Sequence, residues 1–111
     1  MQMSEEKIVD VLVVGLKGRL DGGTSKTVED YLLRQIDAGE RVLVLDLAHL
    51  EYLSSVGLRV FMMVAKRLKV LQGKVVMCSL QGPIRQVFEI SGFTRLFPVF
   101  DDRDAALKGV K

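Results

Sequence analysis

Stretches of continuous apolar character alternate along the chain with stretches in which apolar residues recur every three or four positions. Residues 11–16, 41–47 and 74–80 are nearly unbroken apolar runs rich in Val and Leu, which is typical of strands buried on both faces. Residues 97–100 form a shorter run of the same kind, and a further strand is expected within residues 1–8. The sequence therefore predicts about five strands.

The intervening segments carry the periodicity of amphipathic helices. In the first of them Val28, Leu32 and Ile36 share one face, and Thr24 or Ser25 is expected to cap its start. Gly and Pro residues mark where the later helices begin and end. The other three predicted helices cover residues 55–71, 83–91 and 103–108.

Strands that alternate with helices predict a mostly parallel sheet joined by right-handed crossovers. The first two strands are close enough in sequence to form a hairpin, which would make the sheet mixed. We therefore expect a single-domain α/β fold over residues 1–111, with a mixed, mostly parallel sheet of about five strands covered by about four helices. Sites in such sheets gather beyond the carboxyl ends of the parallel strands, which here are residues 21–24, 46–55 and 80–83.

The helix that follows the second of these strand ends has two distinct faces. At 100° per residue, its core face is formed by Gly57, Val60, Phe61, Val64, Leu68 and Leu71. The opposite arc is formed by Ser55, Leu58, Arg59, Met62 and Lys66. Ser55 is thus expected to face solvent at the helix N-terminus. Ser54 points toward the core side and is the better candidate for a structural cap.

An exposed serine at a helix N-terminus is a favourable place for a phosphate group, because free N–H groups and the helix dipole stabilise negative charge. Arg59, one turn further on, is placed to pair with such a phosphate. Leu58, Met62 and Met63, rimmed by basic residues, suggest a protein interface that a phosphate would disrupt. The simpler alternative is that both serines are ordinary cap residues and that the methionines belong to the core. The residues alone favour that alternative, because Ser before an apolar helix is common.

Composition and charge narrow the function classes. The chain has 111 residues, of which 49% are hydrophobic and 27% charged, as in a globular domain. Its net charge of +2 does not favour direct nucleic-acid binding. The basic residues at positions 66, 67, 69 and 74 are interpreted as a solvated helix face; the alternative is that they contact an acidic surface of a partner.

No apolar run is long enough for membrane insertion, and the N-terminus is unlike a signal peptide. With Cys78 as its one thiol, expected to be buried, the chain is predicted to be soluble and cytoplasmic.

The sequence offers little support for a catalytic or metal site. Asp46, His49 and Ser55 could be arranged as a triad, but His49 is placed on a loop and no G-x-S-x-G turn surrounds the serine. His49 and Cys78 belong to separate elements, which argues against a metal site. We therefore expect a protein that is not an enzyme and that uses no cofactor or metal.

The segment DLAHLEYLSSVGLRVF, residues 46–61, resembles the motif of STAS-domain anti-sigma factor antagonists of bacteria. In that family an aspartate-ended strand leads through a short loop to a phosphorylatable serine at a helix start. LKGRLD at residues 16–21 is similar to the family's second strand and the loop after it, and QGPIRQVFEISGFTRLFPVFDD at residues 81–102 is similar to its later elements. The resemblance covers nearly the whole chain.

The resemblance implies a protein-binding switch. Ser55 matches the phosphorylated serine, with Ser54 as the runner-up, Asp21 matches an acidic residue close to that site, and Gly57 matches the motif glycine. The implied partner is an anti-sigma factor that is also an ATP-dependent serine kinase. The unphosphorylated antagonist binds it, the phosphorylated one is released, and a serine phosphatase resets the system. The partner-binding face is expected at Ser55, Leu58, Arg59, Met62 and Lys66, in a monomer or weak dimer.

Two positions depart from the family pattern. Ser54 stands where many members have Asp, and Val56 stands where many have Ser or Thr. These departures leave open which serine a kinase prefers. The alternative function is a STAS module that is never phosphorylated and serves as the interaction subunit of a lipid transporter or of a larger signalling assembly.

Overall fold

The computed structural model describes residues 1–110, so Lys111, the last residue of the predicted domain, lies outside the described residues. Within that range the chain forms five strands and four α-helices, in the order that the alternating patterns predict. The strands are β1 Gln2–Ile8, β2 Val11–Leu20, β3 Val42–Leu53, β4 Lys74–Cys78 and β5 Val99–Phe100. The helices are α1 Ser25–Asp37, α2 Ser55–Val70, α3 Gly82–Ser91 and α4 Arg103–Gly109, with a 3-10 turn at Phe93–Arg95.

The strands form one sheet in sequence order. β1 and β2 are antiparallel, and the remaining neighbours are parallel, so the sheet is mixed and mostly parallel as predicted. The turn between β1 and β2 places Val9 at a φ of 55°, which lets the two strands join through only two residues. The predicted hairpin and α/β fold class are therefore confirmed.

The second and third strands are longer than their apolar runs predict. β2 continues to Leu20 and β3 to Leu53, because beyond the continuous runs a buried leucine still recurs among exposed polar residues. The β2–β3 register shifts between Gly15 and Lys17 and again between Gly18 and Arg19, so the added length of the two strands is paired irregularly. The placement of His49 on a loop was wrong, since it lies within β3.

Two hydrophobic layers cover the opposite faces of the sheet. Side chains alternate along each strand, so Val14 belongs to the larger cluster under α1, α2 and α3, and Val13 to the smaller one under α4. Cys78 lies in the smaller cluster as a free, fully buried thiol, as predicted. Burial raises the pKa of this thiol, which keeps it protonated and unreactive near neutral pH.

Two local predictions for the helices were wrong. Thr24 occupies the N-cap position of α1, but its hydroxyl donates to the Arg19 carbonyl (2.7 Å) and caps no helix N–H. Ser25 makes no cap either, because it is the first helical residue and is buried. Leu71 was predicted in the core face of α2 and is instead 38% exposed, because the helix ends one residue earlier, at Val70.

Gly57 brings the first turn of α2 against the ends of β2 and β3. A Cβ atom added there would lie 2.7 Å from Leu20 Cγ and 2.8 Å from Leu53 Cδ1, both closer than carbon atoms pack. It would also lie 3.0 Å from the Leu20 carbonyl oxygen, which is backbone and cannot swing aside. The close approach predicted from the helical wheel is confirmed.

We predict that Gly57→Ala destabilises the domain by about 1–3 kcal/mol, because the added methyl group overpacks this contact by more than the helix propensity of Ala compensates. Urea denaturation followed by circular dichroism measures the change. The matched control is Gly22→Ala, where an added Cβ meets nothing within 4 Å. A Gly57→Ala protein as stable as the control would contradict the packing argument.

Candidate functional site

The junction between β3 and α2 forms the candidate site. The backbone N–H of Ser54 donates to the Leu20 carbonyl at 3.0 Å, which ties the end of β2 to the start of the helix. Together with the Gly57 contact, this bond fixes the first turn of α2 on two neighbouring strand ends. The site therefore lies beyond the carboxyl ends of parallel strands, where the sequence placed it.

The two adjacent serines differ in what their hydroxyl groups do. Ser54 is the N-cap residue, with φ −90° and ψ 171°, and its Oγ accepts a hydrogen bond from the Gly57 N–H at 3.2 Å. Its predicted role as a structural cap is confirmed. A phosphate on Ser54 would break this cap in addition to changing the charge.

Ser55 is the first residue of α2 and is exposed, as the helical wheel predicts. Within the described residues, no protein acceptor pairs with the backbone N–H groups of Ser55 or Val56, as is usual for the first turn of a helix. The first turn also carries no acidic residue. An anionic group on the Ser55 hydroxyl would therefore meet free N–H donors and the positive end of the helix dipole.

The loop after β2 contributes an ordered cluster of charged and aromatic side chains. The Asp21 carboxylate accepts from the Gly23 N–H (3.0 Å) and lies 3.7 Å from the Arg19 Nε. The Arg19 guanidinium in turn stacks 4.2 Å from the centre of the Tyr52 ring. Asp21 directly follows Leu20, whose carbonyl receives the Ser54 N–H, so the structure places this acidic residue beside the β3–α2 junction.

Sequence reasoning missed Arg19 and Tyr52. They are paired across β2 and β3, but only after two register shifts that the sequence does not reveal. The available signal was composition alone, a basic and an aromatic residue near two neighbouring strand ends. Arg19 thus lies between the Tyr52 ring and the Asp21 carboxylate and contacts both.

The predicted partner-binding face needs correction. Leu58 is only 8% exposed and belongs to the larger core cluster, and Met62 is half-buried against the same cluster. The wheel gave their direction correctly, but the neighbouring elements cover a wider arc of α2 than the wheel assumed. Arg59 and Lys66 are exposed as predicted. The apolar residues of α2 that reach solvent are Met63 (38%), which the sequence predicts at this interface, and Val56 (38%) and Val70 (81%), which it does not.

Asp46 and His49 do not assemble with Ser55. The Asp46 carboxylate is occupied by Arg103 of α4, with its Oδ2 at 2.9 Å from Nη2 and 3.2 Å from Nε. This contact raises the pKa of Arg103, chiefly through its hydrogen bond to Asp46. Arg103 also pairs with Glu6 at 2.9 Å, so the network fastens α4 to β3 and β1. The role of Asp46 in this network is therefore structural.

Within residues 1–110, no group of three or more His, Cys, Asp or Glu side chains is arranged to hold a metal ion. No helix in the same range has the length and apolar character needed to cross a membrane.

Comparison with known proteins places this architecture in a family. The model of the STAS domain matches residues 2–106. A Bordetella bronchiseptica protein, provisionally named the anti-sigma factor antagonist BtrV, is 44% identical over 111 residues, covering 100% of this chain and 96% of the relative.

Solved structures agree with the sequence match. The crystal structure of an anti-sigma factor antagonist from Mycobacterium paratuberculosis superposes with a TM-score of 0.90 at 25% identity, covering 98% of this chain and 92% of that one. SpoIIAA of Bacillus in its phosphorylated form has the same fold, with a TM-score of 0.76 at 18% identity over 99% of this chain and 100% of that one. The names carried by these proteins describe regulatory proteins and not enzymes. From the family model, the relative and the shared fold together, we conclude that this chain belongs to the STAS domain family.

Proposed function

We propose that this chain is an anti-sigma factor antagonist switched by phosphorylation of Ser55. In its unphosphorylated form it binds an anti-sigma factor that is also a serine kinase, and so frees a sigma factor for transcription. Phosphorylation of Ser55 releases the antagonist, and a serine phosphatase resets it. The protein acts in the cytoplasm, where sigma factors and ATP are found. The names of the Bordetella and Mycobacterium proteins support the class of partner.

One observation carries the choice of residue. Ser54 and Ser55 are adjacent, yet the Ser54 hydroxyl is used to cap α2 while the Ser55 side chain is exposed on its first turn. A kinase can reach the Ser55 hydroxyl without opening the helix. Phosphorylation of Ser54 would first require the loss of a cap worth about 1 kcal/mol.

Free N–H groups at the start of α2 allow a phosphate on Ser55 to be accommodated without a change of fold. A phosphate at the start of α2 adds about −1.5 to −2 charges beside free N–H groups, which stabilise it. Arg59 lies one turn away, is exposed, and has no acidic partner within the described residues. The phosphate therefore changes the surface and not the core.

The same charge would disrupt a docked partner. A partner that covers the first turn of α2 has to strip water from whatever stands at position 55, and a dianion resists desolvation unless opposite charge compensates it. Asp21 lies on the β2 side of the junction, where Arg19 at 3.7 Å offsets its charge. The departures from the family pattern at positions 54 and 56 leave the acceptor hydroxyl in place.

We predict that Ser55→Ala binds the anti-sigma factor but accepts no phosphate from it, because the exposed hydroxyl is gone and the core is untouched. Intact-mass spectrometry after incubation with the anti-sigma factor and ATP measures the phosphate. The matched control is Ser54→Ala, which should melt at a lower temperature because the cap is lost, yet still gain one phosphate. Phosphate on the Ser55→Ala protein would move the assignment to Ser54.

We predict that Ser55→Asp weakens binding of the anti-sigma factor at least about tenfold, or about 1.4 kcal/mol. The stability of the free protein should change by less than about 1 kcal/mol, because a carboxylate is tolerated at a helix N-terminus. Isothermal titration calorimetry measures the affinity. Ser55→Asn, similar in shape but uncharged, is the control and should bind more tightly than Ser55→Asp. Unchanged affinity of the aspartate variant would favour the alternative of a STAS module that is never phosphorylated.

A further inference from the structure

We propose that the exposed face of α2 is a docking surface for an acidic amphipathic helix of the partner protein. This inference rests on the proposed function for the identity of the partner, and names the chemistry of the segment that binds. Its basis is a regular pattern of exposed side chains that the core does not explain and of which the phosphorylation site uses Arg59 alone. We call this surface the α2 stripe, and it consists of Val56, Arg59, Met63, Lys66 and Val70.

The α2 stripe repeats every seven residues. Val56, Met63 and Val70 are apolar and follow at intervals of seven, and Arg59 and Lys66 lie between them, also seven apart. At 100° per residue the five side chains fall within an arc of about 80°. Successive apolar positions are about 10.5 Å apart along the axis, which is the spacing that a second helix presents when packed alongside.

Exposure of the apolar side chains of the stripe to water is unfavourable, and a partner helix that covered them would remove this free-energy cost. Val70 is 81% exposed and Met63 38% exposed. Beside them lies a groove of about 300 Å³ between α1 and α2, lined by Leu33, Met63, Lys66, Arg67 and Val70. The lining of this groove therefore combines three apolar side chains with two cationic ones. An apolar side chain flanked by carboxylates fits both.

The positive charge of α2 favours a partner helix that carries acidic residues. The net charge of the whole chain is only +2, yet α2 alone contains four cationic residues and no acidic one. These residues are Arg59, Lys66, Arg67 and Lys69. Arg67 is neutralised by Asp37 of α1 at 3.1 Å, whereas within residues 1–110 the ion pairs leave Arg59 and Lys66 without an acidic partner. Lys69 is likewise unpaired in this range, so the stripe holds two of the three cations of α2 that have no acidic partner.

A second copy of this chain does not fit the same surface. Two α2 helices packed face to face would oppose Arg59 and Lys66 with the same cations, and like charges in contact are destabilising. A partner helix with Leu or Ile every seventh residue and Glu or Asp between them satisfies both the apolar and the cationic positions. The stripe starts one residue after Ser55, so such a helix would pass beside the phosphorylated hydroxyl.

The first test uses a designed probe, so that it does not depend on knowing the partner. The probe is a synthetic helical peptide about three heptads long, with Leu at every seventh position and Glu between them. A control peptide carries Lys in place of Glu. We expect amide chemical shifts of the 15N-labelled protein to move along the α2 stripe, with at least about tenfold tighter binding of the Glu peptide at low salt. Shifts elsewhere, or equal binding of both peptides, would overturn the proposal.

The same spectra separate a membrane from a protein as the occupant. Vesicles of phosphatidylserine and phosphatidylcholine are added to the labelled protein in place of the peptide. We expect the stripe to respond to the Glu peptide and not to the vesicles. A response to anionic vesicles without one to the peptide would make the stripe a lipid-binding surface, and the proposal would be wrong.

The second test uses the anti-sigma factor and matched variants of this chain. Val70→Ser is compared with Ile90→Ser, an 87% exposed residue on α3, and Lys66→Glu is compared with Lys108→Glu on α4. In each pair, the variant within the stripe should bind the anti-sigma factor about tenfold more weakly, and the control should stay within about twofold of the wild type.

If all four variants bind equally while Ser55→Asp is released, the stripe proposal fails and the proposed phosphorylation switch is retained. If the wild type binds no anti-sigma factor, the proposed function fails and the peptide titration alone decides the stripe.

Discussion

The contact between the first turn of α2 and the ends of β2 and β3 is the constraint on which the candidate site depends. The Ser54 N–H donates to the Leu20 carbonyl, and Gly57 packs so closely on Leu20 and Leu53 that no side chain fits between them. Because these two points lie within one helical turn, they fix both the position and the rotation of α2. The direction of every side chain on the helix follows from that rotation, including the exposure of Ser55.

This arrangement separates a hydroxyl that caps the helix from one that is left exposed. A helix start has free N–H groups that require either a side-chain cap or another anionic group. Here Ser54 supplies the cap, so the fold does not need the Ser55 hydroxyl and that group is free to be modified. Because the cap at Ser54 is uncharged, the charge of the site is set by Asp21, Arg19 and any phosphate.

The sequence predicts the elements and their order well, because the two periodicities differ clearly and Gly57 can be placed on the core face by spacing alone. Prediction from sequence fails where tertiary contacts determine the strand register or the exposure of a side chain. The register shifts that extend β2 and β3, and so stack Arg19 on Tyr52, leave no local pattern. The exposure of Leu58 was predicted wrongly because a helical wheel gives directions but not the width of the arc that neighbouring elements cover. The phosphorylation of Ser55 stays a prediction.

Under the proposed mechanism, the length of α2 gives its two ends different roles. Ser55 and Val70 are 15 residues apart, which is about 22 Å along a helix, whereas charge at the surface is screened within about 8 Å at physiological ionic strength. A phosphate on Ser55 therefore acts strongly on Arg59 and hardly at all on Lys66 or Val70. Under the proposed mechanism, the N-terminal turn decides whether a partner stays bound, and the distal part of the stripe contributes affinity that phosphorylation does not remove. A released partner would then retain weak attraction to the far end of α2, so recapture after dephosphorylation begins from that end.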